Sequence, residues 1–303
     1  MKRITFWIAL TGVFLLVGRV EAQTIYVPFD QPTISQAIAH ASQQGTSTIV
    51  VTQNWVESGP IIMDRKVTIT HNAGLTVTIS GSGLLLQASA LSQQVTSSGS
   101  VVDGLTFSRT GGGSTQPMVD FSYKATLKNC VVLDNGKKIG VHVIGVYGPN
   151  AAGSLLQNNT IELSYGGSAA NSAIYVETST YSNRTTLTGN TIRILNSTSA
   201  RDGIGCYIDA YPDPNIWIQI NNNTVELTGI GHGIRCAESV DYTDISYNTV
   251  RSLASGGSGT GYGIYYGGEI ATILRNTIEQ MHVGIFLWAL TIITALAAPT
   301  IIR

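Results

Sequence analysis

Apolar and polar residues alternate in short runs along most of the chain, as in Ile204-Gly205-Cys206-Tyr207-Ile208, and Gly, Asn and Ser separate one run from the next. Alternation with a period of two is the pattern of a strand that buries one face, so the chain predicts many short strands joined by tight turns. The runs also recur over a longer interval. Asn159-Thr160-Ile161, Asn190-Thr191-Ile192, Asn223-Thr224-Val225, Asn248-Thr249-Val250 and Asn276-Thr277-Ile278 share one phrase, and Asn129-Cys130-Val131 reads as an earlier variant of it. Successive asparagines lie 30, 31, 33, 25 and 28 residues apart. A second phrase, a small residue followed by Ile or Val, keeps step with the first at Gly140-Val141, Ala173-Ile174, Gly203-Ile204, Gly233-Ile234, Gly263-Ile264 and Gly284-Ile285.

Two phrases sharing one period define a solenoid whose repeating unit cannot bury its apolar face alone. With several strands in each coil, the expected fold is all-β, a right-handed parallel β-helix. Each position then stacks on its counterpart in the next coil, about 4.8 Å away. Asparagine suits such a column, because its amide tolerates the left-handed backbone of a tight turn and can hydrogen-bond above and below. The sequons this creates at Asn158 and Asn222 read as by-products of the ladder, and Asn183 and Asn196 begin two more.

Lys2 and Arg3, the apolar stretch Ile4 to Val17 and the small-x-small pattern Val20-Glu21-Ala22 predict a secretory signal peptide over residues 1–22 and a β-helix domain over 23–303. The apolar run is shorter than the roughly 20 residues of a membrane span. The mature chain is therefore expected to be secreted, periplasmic or at the cell surface. Charged residues make up 12% of the sequence and the formal net charge is -1, leaving no field to draw in nucleic acid or anionic lipid. The three cysteines form no disulfide framework and show no metal-ligand spacing. Cys206 and Cys236 fall on one inward column, where buried packing thiols are the expectation and a coil-to-coil disulfide the alternative.

After Pro32, Thr33 reads as an N-cap with Gln36 three residues on, and Ile34, Ala37, Ile38 and Ala41 fall on one helical face. An amphipathic helix here would cap the apolar end of the first coil. The phrase from Val27-Pro28 through Pro32-Thr33-Ile34-Ser35-Gln36-Ala37-Ile38, followed by Thr48-Ile49-Val50-Val51 and Val67-Thr68-Ile69-Thr70, resembles the N-terminal cap and first coil of the pectin-lyase-like β-helix superfamily. The resemblance covers about residues 24–303. It implies the fold but not one chemistry, since the superfamily holds lyases, hydrolases, esterases, sugar-binding proteins and inert surface proteins.

At the other end, Ala298-Pro299-Thr300-Ile301-Ile302-Arg303 matches the lead-in Thr272-Ile273-Leu274-Arg275 to Asn276, which predicts a chain that stops inside a coil. The alternative takes the uncharged run Ile285 to Ile302 as a membrane anchor; Pro299 and the repeat phrases argue against it, and no span is expected.

Outward columns carry the candidate chemistry. The residue before the recurrent glycine gives Asp202, His232 and Tyr262; the first outward position after the recurrent Ile or Val gives His142, Tyr175, Gly205, Arg235, Tyr265 and Phe286; the next gives Ile144, Glu177, Tyr207, Ala237, Gly267 and Trp288. Aromatic faces stack on sugar rings, while carboxylates and arginine bind hydroxyls or uronates, so Tyr175, Glu177, Tyr207 and Tyr265 are candidate substrate-binding residues. Asp202, Asp209, His232 and Arg235 are the candidate catalytic set, because acid-base cleavage of a glycosidic bond needs paired carboxylates. A lyase would instead hold calcium between carboxylates and the substrate and take a proton with a base, for which Arg235 with Asp209, Asp213 or Asp241 is available. Gly231-His232-Gly233 resembles a phrase of polygalacturonase-like hydrolases, but no Asn-Thr-Asp, Asp-Asp or Arg-x-Lys phrase accompanies it. The expected partner is a polysaccharide, bound or processed by a lyase or hydrolase activity. The alternative is a non-catalytic, adhesin-like surface protein whose solenoid is a stiff spacer.

Overall fold

A computed structural model describes residues 22–110, 115–135, 142–164, 171–177, 183–195, 201–207, 218–237, 240, 242–254, 259–268, 270–288, 292–293 and 301–302. Residues 1–21 of the stretch read as a signal peptide, 1–22, lie outside them, and Gln23 opens the first strand.

The chain winds as an all-β parallel solenoid of the right-handed type, with three sheets running its length. Among the described residues the first sheet has eleven strands, from Gln23–Val27 to Ile292–Ile293; the second has ten, from Trp55–Ser58 to Ile301–Ile302; the third has nine, from Ile61–Met63 to Met281–Leu287. Every described strand pairs in parallel with its counterpart one coil on, and the register carries each column through the sheets apart from a shift between Gly259 and Tyr262. In the first sheet Ile25, Ile49, Ile69, Val102, Leu127, Leu156, Leu187, Ile220, Ile245 and Ile273 stack in turn, and each is at most 5% exposed. Burying one such side chain is worth about 1.5–3 kcal/mol, which is how short strands with little local propensity hold together.

The Asn-Thr phrase leads into the second sheet. Asn159, Asn190, Asn223, Asn248 and Asn276 are each 1% exposed, and each Nδ2 from Asn159 to Asn248 donates to the Oδ1 of the next asparagine at 2.9 to 3.0 Å. The ladder asparagines do not themselves adopt the left-handed backbone. That falls on the residue before each: Asn158 (φ 54°), Gly189 (68°), Asn222 (55°), Tyr247 (59°) and Arg275 (53°). The turn and the ladder are thus neighbouring jobs given to different residues. Asn129 (φ 54°) holds the turn position and Val131 pairs with Thr160, so Cys130, not Asn129, stands in the ladder column, where its N–H donates to Asn159 Oδ1.

The small-Ile phrase forms the third sheet. A Cβ on Gly203 would sit 2.3 Å from Val225 Cγ1 and 2.7 Å from the Gly233 carbonyl oxygen, and the same squeeze recurs at Gly233 and Gly263. The small residue is required by close approach of the third sheet to the second, not by a turn. In the first of these coils, read as Gly140-Val141, the frame differs from the sequence reading: Ile144 pairs with Ile174, so the phrase is Val143-Ile144. Gly140 and Val141 lie outside the described residues.

A helix at Ile34–His40 buries Ile34, Ala37 and Ile38 against the strands Gln23–Val27, Ser47–Val51 and Ile61–Met63. Thr33 Oγ1 accepts from the Gln36 N–H, while the Glu57 carboxylate accepts from the N–H groups of Ile34 and Ser35, so the free donors of the first turn are met. At the far end Ile301 pairs with Thr277 and Ile302 with Ile278, whereas Ile292 pairs with Ile270. The final residues therefore lie beside the Asn-Thr-Ile phrase of the preceding coil, not beside its lead-in. No helix among the described residues is long and apolar enough to cross a membrane.

Candidate functional site

The outward face of the third sheet gathers the aromatic and charged residues. One column runs Gln87, Asp120, Gly145, Tyr175, Gly205, Arg235, Tyr265, Phe286. Beside it Tyr147, Glu177 and Tyr207 stack in register. His142 was assigned to the Tyr175 column and Ile144 to the Glu177 column; because the phrase begins three residues later, Gly145 and Tyr147 hold those places and Ile144 is buried.

The two glycines of the main column are each crowded by a neighbouring side chain. The space over Gly145 is filled by the Tyr147 ring, whose Cε2 lies 1.9 Å from where a Cβ would be. A Cβ on Gly205 would lie 2.3 Å from Ser172 Oγ, and beside it opens a notch of about 150 Å³, lined by His142, Ser172, Tyr175, Asp202, Tyr207 and Arg235. Aromatic clusters flank it. On one side His142 stacks on Tyr175 with ring centroids 3.8 Å apart, and Tyr147 lies 5.9 Å from Tyr175. On the other, His232 packs against Tyr262 and Tyr265, Tyr265 against Phe286, and Phe286 against Trp288. Arg235, with half its side chain exposed, lies 5.8 Å over the Tyr265 ring and 3.7 Å from Asp202 Oδ2. That geometry leaves the guanidinium free to donate outward.

Asp202, His232 and Tyr262 share an edge, as their spacing predicts, and His142 joins it. Asp202 Oδ1 accepts from the His232 backbone N–H at 3.3 Å, His232 Nδ1 from the Tyr262 N–H at 3.1 Å, and His142 Nδ1 from the Ser172 N–H at 3.1 Å. Each side chain thus meets a backbone donor of the next coil. With Nδ1 accepting, both imidazoles carry their proton on Nε2. Burial pushes both histidines down to about 4, helped at His232 by Arg235, so they are neutral near pH 7. Burial also lifts Asp202 to about 6, against the opposing pull of Arg235 and the His232 N–H.

The structure therefore brings Asp202, His232 and Arg235 together, with Tyr175 and Tyr207 on the notch, Glu177 paired between Tyr147 and Tyr207, and Tyr265 beyond Arg235. Asp209, with Asp213 and Asp241, lies outside the described residues, so the second carboxylate of a cleaving pair and the calcium ligands have no described position. Among the described residues no group of three or more His, Cys, Asp or Glu could hold a metal ion. Sequence reasoning missed Tyr147 and the place of His142 on the edge. Tyr147 was recoverable from its place three residues after Ile144; the notch needed the structure, because Gly145 and Gly205 look alike in the chain. Searches of protein-family models, curated proteins and solved structures return no match.

Proposed function

We propose that the chain is a secreted β-helix of the pectin-lyase-like kind that binds a polysaccharide along the outer face of its third sheet, with one sugar unit at the Gly205 notch. The observation that carries this reading is the row of packed aromatics, Tyr147 and Tyr175 on one side and Tyr265, Phe286 and Trp288 on the other, with an exposed arginine between them. Sugar rings present apolar faces to aromatic rings and hydroxyls to arginine, and coils repeat at a spacing that suits an extended chain. The helix Ile34–His40 serves as the cover of the first coil in this reading.

Binding is favoured over cleavage because the Nδ1 of His232 and one oxygen of Asp202 are spent on backbone N–H groups of the next coil. A processing activity would fall to Asp202, whose carboxyl titrates at about 6 beside Arg235. A polysaccharide array probed with the mature chain, with and without calcium and followed by assay for unsaturated and reducing ends, separates these outcomes. Retention without products supports a binding protein, and products assign the chemistry. Retention on no polysaccharide would leave the adhesin-like reading in its place.

A further inference from the structure

Under the floor of the notch, Cys206 and Cys236 occupy one inward column of the third sheet and pair directly in register, one coil apart. Their column neighbours are Val176 before them and Tyr266 after. Cys206 lines the notch at 3% exposure, whereas Cys236 is fully buried. Residues facing one another on adjacent parallel strands lie about 4.8 Å apart, within the roughly 4.4–6.8 Å between Cα atoms that a disulfide spans. The side chains share the interior side of the sheet and stand within hydrogen-bonding reach of each other. The third cysteine, Cys130, sits in the asparagine column and donates to the Lys128 carbonyl, so it competes for neither.

We propose that Cys206 and Cys236 form a coil-to-coil disulfide when the folded chain meets a small disulfide oxidant such as oxidised glutathione. The Cys206 thiolate, the less buried of the two, attacks one sulfur of the oxidant; the S–S bond breaks and one glutathione leaves as a thiolate. The Cys236 thiolate then attacks Cys206 Sγ in the mixed disulfide and expels the second glutathione. The two thiol protons end on the released glutathiones, the protein thiols are oxidised and the oxidant is reduced. The hydrogen bond with Cys206, with burial after it, holds the Cys236 thiol well above its ordinary range, so the second step quickens as pH rises. The bond ties the strand Arg201–Tyr207 to Ile234–Cys236, the two strands that carry Asp202, Gly205, Tyr207 and Arg235. It therefore fixes the width of the notch whatever the notch binds.

The test treats the native chain with oxidised glutathione, blocks remaining thiols, and maps peptides by mass spectrometry without reduction. The expected result is a linked pair of peptides containing Cys206 and Cys236, with Cys130 still free and a rise in melting temperature that dithiothreitol reverses. Cys130→Ser should give the same link. Thiols at 206 and 236 that remain blockable after exchange at raised pH would overturn the proposal. So would glutathione held stably on Cys206 beside a free Cys236, or a link that forms only after unfolding in urea.

Discussion

Asn223 Oδ1 accepts two hydrogen bonds from Asn190, one from its backbone N–H at 3.0 Å and one from its Nδ2 at 2.9 Å. Asn223 in turn donates through Nδ2 to the Leu187 carbonyl and to Asn248 Oδ1, and all of this is buried. Asn223→Ala strands both Asn190 donors without water. Unmet buried groups cost about 1–3 kcal/mol each, so the variant should lose roughly 2–4 kcal/mol in urea denaturation. A loss no larger than at an exposed surface site would show that the ladder does not hold the coils.

One residue earlier the demand reverses. Asn222 is exposed with φ 55°, a backbone that costs most side chains about 1–2 kcal/mol. Asn222→Gly should leave stability within about 0.5 kcal/mol, and Asn222→Val should lower it by about 1–2 kcal/mol. Equal effects of the two changes would contradict this division of labour.

A third column joins the coils through charge. On the outer face of the second sheet Glu162, Arg193, Glu226, Arg251 and Glu279 pair in register. Glu226, 4% exposed in its side chain, accepts from Arg193 Nε at 2.8 Å and Arg251 Nε at 3.0 Å. Burial raises its carboxyl, but the two arginines outweigh this and hold it below its ordinary value. Its stabilisation is therefore present above the unfolded carboxylate range and lost as pH falls through the lower folded value. Glu226→Gln should cost about 1–3 kcal/mol near neutrality, shrinking in acid, as read by urea denaturation at several pH values.

Tyr207 is 38% exposed at the rim of the notch. Tyr207→Ala should leave the melting temperature unchanged and weaken retention on the polysaccharide about tenfold, the worth of one lost ring contact. Titration by calorimetry on the polysaccharide identified from the array decides it, and undiminished affinity would remove the notch from the binding face.

Acid should loosen the histidine edge. The unfolded chain binds a proton at each histidine near pH 6.5, whereas His142 and His232 resist until about 4. Between those values these two groups subtract stability as pH falls. Asp202 runs the other way: raised from 3.8 to about 6, it adds stability below 3.8 that is lost as pH rises through 6. Across about pH 6 to 4 the three groups together leave the unfolded chain one proton ahead, so stability declines on acidification. A double variant, His142→Asn with His232→Asn, keeps an acceptor for the Ser172 and Tyr262 N–H groups. It should flatten or reverse that acid slope in denaturation curves.

The solenoid was legible because its cause is repeated: one phrase misread in one coil is corrected by the next. The columns of Ile, Asn and small residues all followed from spacing alone. Errors arose where a coil departs from the consensus, at Cys130 and Val143-Ile144, because register is set by pairing with neighbours and not by the local phrase. The notch was illegible for a different reason. Whether a notch opens beside a glycine depends on whether the tyrosine two residues on folds over it, as Tyr147 does over Gly145, or stands outward, as the 38% exposed Tyr207 does.

The alternating column of glutamate and arginine places a parity rule on the history of this molecule. Duplicating or deleting a single coil between Glu162 and Glu279 would set like charge on like charge, which neighbouring strands penalise. Gain or loss of coils in pairs keeps the alternation intact. Length variants that tolerate recombination in this stretch should therefore differ by even numbers of turns.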